Sequence, residues 1–157
     1  MNNQSGFTIV ELIMVIVLLG IVSVVAVMKG TSPGLITLPS QAQNVANDIR
    51  HTQTLAYTRG QRMYLAMHAG TNGSYNVCVA GASCSSITAI FNGNVTRNVV
   101  LAGSDLYFNS LGQPSDSSGV ALASDTSYTL CYPSCGSGNA LETITVARLT
   151  GYVAVTP

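Results

Sequence analysis

One carboxylate, that of Glu11, lies inside an apolar run near the start of the chain. Glu11 is the only ionisable side chain between Phe7 and Met28. An acidic group at membrane depth costs several kcal/mol unless a positive group compensates its charge. Glu11 therefore predicts a site of charge pairing.

Four cysteines form a second group of reactive side chains: Cys78, Cys84, Cys131 and Cys135. An even number of cysteines in an exported chain predicts disulfides and an oxidising compartment such as the periplasm. Proximity favours the pairs Cys78 with Cys84 and Cys131 with Cys135, although a crosslink between strands stays open. Zinc is the less favoured alternative, because neither spacing matches the paired C-x2-C pattern of zinc sites.

Catalytic patterns are missing from the sequence. It contains no phosphate-binding glycine loop, no H-E-x-x-H and no G-x-S-x-G. His51 and His68 are interpreted as surface histidines rather than general bases. Asp105, Asp116 and Asp125 are interpreted as turn formers rather than calcium ligands. The sequence thus predicts neither an enzyme nor a cofactor nor a metal site.

Charged side chains are scarce and balanced. Lys and Arg number six, Asp and Glu also number six, and together they make up 8% of the chain. Such a composition does not favour a nucleic-acid surface. Arg50, Arg59 and Arg62 lie close in sequence, but a solvated helix end is the preferred interpretation.

The apolar run itself predicts a membrane helix over residues 7–28. A helix of this length is about 33 Å long, which matches the hydrocarbon thickness of a bilayer. A cleaved signal peptide is the alternative, but its apolar part is shorter and the start MNNQSG carries no Lys or Arg.

Beyond this run the composition changes, and Gly30, Pro33 and Gly34 predict a linker over 29–39. A globular head over 40–157 follows. Its first element is a helix from about Gln41 to Arg59, with Ser40 as the N-cap and Gly60 at the end.

Extended segments fill the rest of the head. RMYLAMH and SYNVCVA flank an Asn-Gly turn and predict a β-hairpin. Further strands are predicted in NVVLA, DLYFN, GVALA, SYTLCY, ETITVA and GYVAVT. The predicted fold class is α+β, with one helix packed on a mostly antiparallel sheet or small β-sandwich.

The stretch Gly6-Phe7-Thr8-Ile9-Val10-Glu11, followed by the apolar run, resembles the N-terminal motif of type IV pilins and type II secretion pseudopilins. This resemblance implies a leader over residues 1–6. It also implies that a prepilin peptidase cuts after Gly6 and N-methylates Phe7.

The resemblance also implies a partner for Glu11. One helical turn separates Glu11 from Phe7, so the carboxylate faces the positive end of the helix dipole and a free α-amine. In a filament, the amine on Phe7 of a neighbouring subunit would select the register of the incoming helix. The alternative is a contact between Glu11 and the amine of its own chain.

The head resembles the minor-pilin family named for FimT and GspH, which includes minor subunits of mannose-sensitive haemagglutinin pili. The resemblance rests on the segments QAQNVANDIRHTQTLAYTRGQRMYLAM, DLYFNSLGQP and ITVARLTGYV. It implies a subunit that primes filament assembly, with other pilins, the prepilin peptidase and the inner-membrane assembly platform as partners. Its expected location is the inner membrane, crossed once with the head in the periplasm, and then the filament. A DNA-binding pilin for DNA uptake is the alternative function, and the residues do not distinguish adhesive, twitching and secretion systems.

Overall fold

Two helices open the chain in the computed structural model, which describes residues 8–29 and 32–157, with side chains for 8–23 and 32–157. Helix α1 spans Ile9–Lys29 and helix α2 spans Pro33–Arg59. The chain divides into two compact units between Ser32 and Pro33. The predicted leader, with Gly6 and Phe7, lies outside the described residues.

Helix α2 is longer than the sequence predicted. The start expected near Gln41 is wrong, because the helix already begins at Pro33. Proline is favoured at the first helical position, where its missing amide hydrogen has no helical partner to lose. The predicted linker is therefore helical from residue 33 onward, while the domain boundaries themselves stay a prediction.

Side-chain hydroxyls bond the backbone in the first turns of α2. Pro39 lies inside the helix and removes one backbone donor. The Thr37 hydroxyl donates to the carbonyl of Pro33 at 2.9 Å, and the Ser40 hydroxyl donates to that of Thr37 at 2.8 Å. Ser40 is thus a residue of the helix interior and not the predicted N-cap.

The other end of α2 agrees with the prediction. Arg59 lies in the last turn, and Gly60 takes the left-handed conformation with φ of 61°. Glycine carries no Cβ, so it adopts this conformation without steric cost.

Strands occupy much of the chain after α2. In order they are β1 Met63–His68, β2 Gly70–Thr71, β3 Ser74–Val79, β4 Phe91–Asn94, β5 Val100–Ala102, β6 Leu106–Phe108, β7 Pro114–Ser115, β8 Thr126–Tyr132, β9 Ala140–Val146 and β10 Val153–Thr156. They form two five-stranded sheets with the orders β4-β3-β1-β6-β7 and β10-β9-β8-β5-β2, here called sheet A and sheet B. All strand pairs are antiparallel.

The predicted hairpin is confirmed, since β1 pairs with β3 and Leu65 lies opposite Val77. The predicted strand in GVALA is wrong. Only an isolated bridge joins Ala121 to Ser115, because Gly119 and the Asp116 side chain close a turn there. The sequence prediction also missed the short strands β2, β4 and β7.

A single stripe of α2 builds the core of the head. Ala42, Val45, Ala46, Ile49 and Ala56 are fully or almost fully buried. The helix packs against β8, β9 and β10 of sheet B and against β1 and β6 of sheet A. The α+β architecture with a helix on antiparallel sheets is therefore confirmed.

Truncating the centre of this stripe tests the packing. We expect Ile49→Ala to lower the free energy of unfolding by about 2–5 kcal/mol, because a fully buried side chain leaves a cavity. The exposed substitution Gln43→Ala on the same helix is the control and is expected within about 0.5 kcal/mol of the parent. Urea unfolding followed by tyrosine fluorescence measures both values, and equal values for the two variants would contradict the packing.

Candidate functional site

The start of α1 is built around Thr8. The Thr8 carbonyl accepts the amide of Leu12 at 3.1 Å, and the Thr8 hydroxyl accepts the amide of Glu11 at 3.3 Å. Thr8 is therefore the N-cap of α1, and Glu11 lies at the third helical position. Sequence reasoning missed this cap, although the pattern Thr-x-x-Glu is the signature of a capping box.

Glu11 lies in the first turn of α1, where partial positive charge of the helix dipole favours a carboxylate. The partner predicted for it, the amine of Phe7, lies outside the described residues. The helix begins at Ile9, so the predicted spacing of one helical turn between Phe7 and Glu11 stays a prediction.

Apolar side chains surround α1. Every described residue from Thr8 to Ser23 is exposed, and the exposed fraction of its large apolar side chains ranges from 79% for Ile9 to 47% for Val15. The Ser23 hydroxyl bonds the Leu19 carbonyl at 2.7 Å, so it needs no external partner. A helix that is apolar on all sides requires cover from lipid or from other helices.

A membrane span was predicted over residues 7–28. Among residues 8–29 and 32–157, the structure offers no helix with the length and apolar character needed to cross a membrane.

The structure contains the two short-loop disulfides that proximity favoured. Cys78 in β3 is bonded to Cys84, and Cys131 in β8 is bonded to Cys135. In each pair the strand cysteine is buried and its partner lies in the following loop. The bonds therefore hold surface loops against the ends of core strands.

The candidate histidines lie in different places. His51 is exposed on α2, with its ring centroid 5.2 Å from that of Phe91. His68 is exposed at the end of β1, with Nε2 3.1 Å from the side-chain nitrogen of Asn76. Neither arrangement forms a nucleophile and base pair.

The candidate carboxylates bond the backbone. Asp105 accepts the amide of Met67 at 2.8 Å, and Asp125 accepts the amide of Arg148 at 2.9 Å. Asp116 accepts the amide of Val120 at 2.9 Å. Only Asp116 closes a turn as predicted, whereas Asp105 and Asp125 each bond an amide of a distant segment.

Three arginines of the head donate hydrogen bonds to backbone carbonyls. Arg50 donates to the carbonyl of Val153 at 2.7 Å, and Arg62 donates to the carbonyl of Ser117 at 3.1 Å. Arg148 donates to the carbonyl of Ala123. These guanidinium groups serve as bridges between distant segments rather than as one basic surface.

Gln53 joins two turns that lie far apart in the sequence. Its side-chain nitrogen donates to the carbonyl of Gly112 at 2.9 Å and to that of Thr150 at 2.8 Å. Gly151 has a φ of 68°, a left-handed conformation that favours glycine, and a Cβ there would also lie 2.3 Å from this nitrogen. The turn at residues 111–114 and the turn at residues 149–152 thus bond the same side chain of α2. No local sequence pattern predicts this contact.

Comparison with known proteins agrees with these features. Residues 1–27 match the prokaryotic N-terminal methylation motif. The fold is similar to that of the type IV minor pilin FimU of Pseudomonas aeruginosa strain PAO1, in two crystal forms. The first has a TM-score of 0.57 at 12% identity, covering 76% of this chain and 88% of that chain. The second has a TM-score of 0.57 at 11% identity, covering 76% of this chain and 93% of that chain.

No curated protein matches the chain. The chain thus combines an N-terminal methylation motif with a fold that is similar to that of a type IV minor pilin.

Removing one disulfide tests its part in holding the head. We expect the double variant Cys131→Ala with Cys135→Ala to lose about 2 kcal/mol of unfolding free energy, because the unfolded chain gains freedom. Reducing agent should then lower the stability of the parent further than that of the variant, since two disulfides remain to be broken in the parent and one in the variant. An unchanged unfolding midpoint in the variant would contradict this role.

The arginine contacts predict that the chain does not bind double-stranded DNA. The full chain in detergent micelles should leave a double-stranded fragment unshifted in a gel at low salt, because the chain has few basic groups and three of its arginines bond its own carbonyls. A shift that disappears as salt is raised would contradict this expectation and would favour the DNA-uptake function.

Proposed function

We propose that this chain is a minor subunit of a type IV pilus or a type II secretion pseudopilus, which primes or joins filament assembly. One observation carries the proposal: an N-terminal methylation motif runs into a capped apolar helix and is followed by a head with the minor-pilin fold. The methylation motif and the apolar helix suit processing and packing in a filament. The fold of the head suits a place among minor subunits.

Proteolytic processing creates the positive group that pairs with Glu11. A prepilin peptidase cuts after Gly6 and methylates the new amine of Phe7. The uncut precursor has only an uncharged peptide bond at this point, so cleavage creates a positive group four residues before Glu11. The precursor is thereby kept from pairing until the leader is gone.

Charge pairing then selects the register of an entering subunit. Glu11 pairs with the α-amine of Phe7 on a neighbouring subunit, inside a bundle of apolar helices where attraction is stronger than in water. A subunit in a wrong register leaves the carboxylate uncompensated at a cost of several kcal/mol. The internal alternative, in which Glu11 pairs with the amine of its own chain, satisfies the charge without selecting a neighbour.

The cell compartment follows from the same features. The apolar helix anchors the subunit in the inner membrane, next to the assembly platform, with the head in the periplasm. Two disulfides suit an oxidising compartment on the head's side of the membrane. After extraction from the bilayer, the other helices of the filament replace lipid around α1.

Substituting Glu11 tests the pairing. We expect Glu11→Ala to be cut and methylated normally but to enter filaments at least about tenfold less often, because one partner of a buried charge pair is lost. Immunoblots of sheared filaments measure entry, and mass spectrometry of the N-terminus measures processing. Glu11→Asp should retain part of the function, since it keeps the charge.

Thr8→Ala separates pairing from helix capping. Loss of the cap weakens the start of α1 by about 1 kcal/mol but leaves the Glu11 charge in place, so entry should fall much less than for Glu11→Ala. Equal losses in the two variants would show that Glu11 acts through the helix start. Unchanged entry of Glu11→Ala would contradict the pairing itself, whereas failure of both variants to be cut would place the defect in processing.

A further inference from the structure

A patch of exposed apolar side chains lies around Gln53, near the end of α2. Its four members, here called the Gln53 patch, are each between 65% and 70% exposed: Tyr57, Leu111, Leu149 and Tyr152. Side chains of this size and exposure together present roughly 600 Å² of surface. The largest apolar patch on a typical monomer measures about 300–600 Å² and often marks an interaction site. The Gln53 patch is at the upper end of this range.

Two turns bring the leucines of the patch to the same side chain of α2. The Gln53 side-chain nitrogen donates to the carbonyl of Gly112 at 2.9 Å, and Leu111 directly precedes this glycine. The same nitrogen donates to the carbonyl of Thr150 at 2.8 Å, and Leu149 directly precedes this threonine. The two leucines therefore lie in neighbouring turns although they are far apart in the chain.

Both tyrosines adjoin the same turns. Tyr57 lies about one helical turn after Gln53, and a Cβ on Gly112 would lie 3.5 Å from the Cβ of Tyr57. The amide of Tyr152 donates to the Thr150 hydroxyl at 3.2 Å. The four side chains therefore belong to one surface rather than to isolated exposed positions.

Hydrogen bonds fix the shape of the Gln53 patch. The Asn109 side-chain oxygen accepts the amides of Leu111 and Gln113, each at 3.0 Å. The two bonds of Gln53 tie both turns to α2, whose inner stripe is buried in the core. A partner thus meets a preformed surface, and little conformational freedom is lost when it binds.

We propose that the Gln53 patch binds the head of a neighbouring pilin subunit in the same filament, an inference that rests on the proposed function. Stable interfaces between free proteins bury about 800 Å² on each partner. The Gln53 patch alone falls short of this area. Filament neighbours are also joined through their α1 helices, which raises the effective concentration of one head beside the next. A contact of this size therefore suits a subunit that is already held nearby better than a freely diffusing protein.

The members of the patch define the chemistry of the partner's surface. The patch contains no acidic or basic residue. It favours an uncharged apolar surface on the partner, because a charged group placed there would lose its water without gaining a counter-charge. The tyrosine hydroxyls can bond polar groups at the rim of the contact. Salt should therefore have little effect on this contact.

The position of the patch favours a protein partner over lipid. Gln53 lies about 30 Å along α2 from Pro33, the first residue of the head. The patch is thus at the end of α2 that is farther along the chain from α1, the helix that lipid surrounds in the proposed function.

Photo-crosslinking in cells that assemble the filament tests the proposal. Benzoylphenylalanine replaces Tyr152, so that one exposed aromatic ring takes the place of another. After irradiation the filaments are sheared off, and mass spectrometry identifies the crosslinked peptide. The expected peptide lies in the head of a second chain that carries a methylated N-terminus. Leu149→Glu should lower the crosslink yield per subunit in the filament at least about fivefold, because it brings a charge into an apolar contact.

Ile87→Glu is the matched control. It places the same charge at an apolar position that is 92% exposed in the loop between β3 and β4, outside the patch. Its crosslink yield should equal that of the parent. Urea unfolding of the full chain in detergent micelles gives a second readout. Leu149→Glu should leave the unfolding midpoint unchanged, since Leu149 is exposed, whereas a lowered midpoint would assign this leucine to the fold and count against the proposal.

Several crosslinking results would overturn the proposal. They are a filament-borne parent that gives no crosslink from position 152, and equal yields from Leu149→Glu and Ile87→Glu. A crosslink only to lipid, to a second copy of this chain outside filaments or to a protein without a methylated N-terminus would also overturn it. Immunoblots of sheared filaments measure entry of the parent separately. Absence of the parent from filaments would contradict the proposed function and this inference together, whereas its presence without the crosslink contradicts this inference alone.

Discussion

Burial of one stripe of α2 is the interaction on which the head depends. Ile49 and Val45 lie at its centre and contact a core shared by both sheets. Sheet A and sheet B each leave one face uncovered unless this helix lies against it. From the same helix, Arg50 bonds the start of β10, and Gln53 bonds the turns at Gly112 and Thr150.

Helix α1 differs from α2, because its described side chains include no buried stripe. Most of its described side chains are apolar and exposed, and a helix of this kind is stabilised by lipid or by other helices around it. Thr8 satisfies backbone donors at its start, and Glu11 brings a charge into the first turn. The proposed assembly depends on the replacement of lipid around α1 by neighbouring helices.

Features set by neighbours in sequence could be predicted. The apolar run, the β1 and β3 hairpin with its Asn-Gly turn, and the close cysteine pairs all depend on short spacings. The start of α2 could not be predicted, because Pro33 is equally typical of a break and of a first helical position. The GVALA segment has the apolar content of a strand, but the Asp116 turn controls its backbone.

Contacts between distant segments could not be predicted from the sequence. The strands β4 and β7 are short and exist only through their pairing with β3 and β6. The contacts of Gln53 with Gly112 and Thr150 combine residues that are far apart in the chain. No periodicity signals such a meeting, since it arises from the packing of the two sheets.

The most direct test of the account is an electron cryomicroscopy map of the filament that contains this subunit. The distance to measure joins the Glu11 carboxylate and the nearest methylated amine of Phe7. The account predicts that this amine belongs to a neighbouring subunit and lies within about 4 Å. A carboxylate surrounded by water, or one paired only with the amine of its own chain, would contradict it.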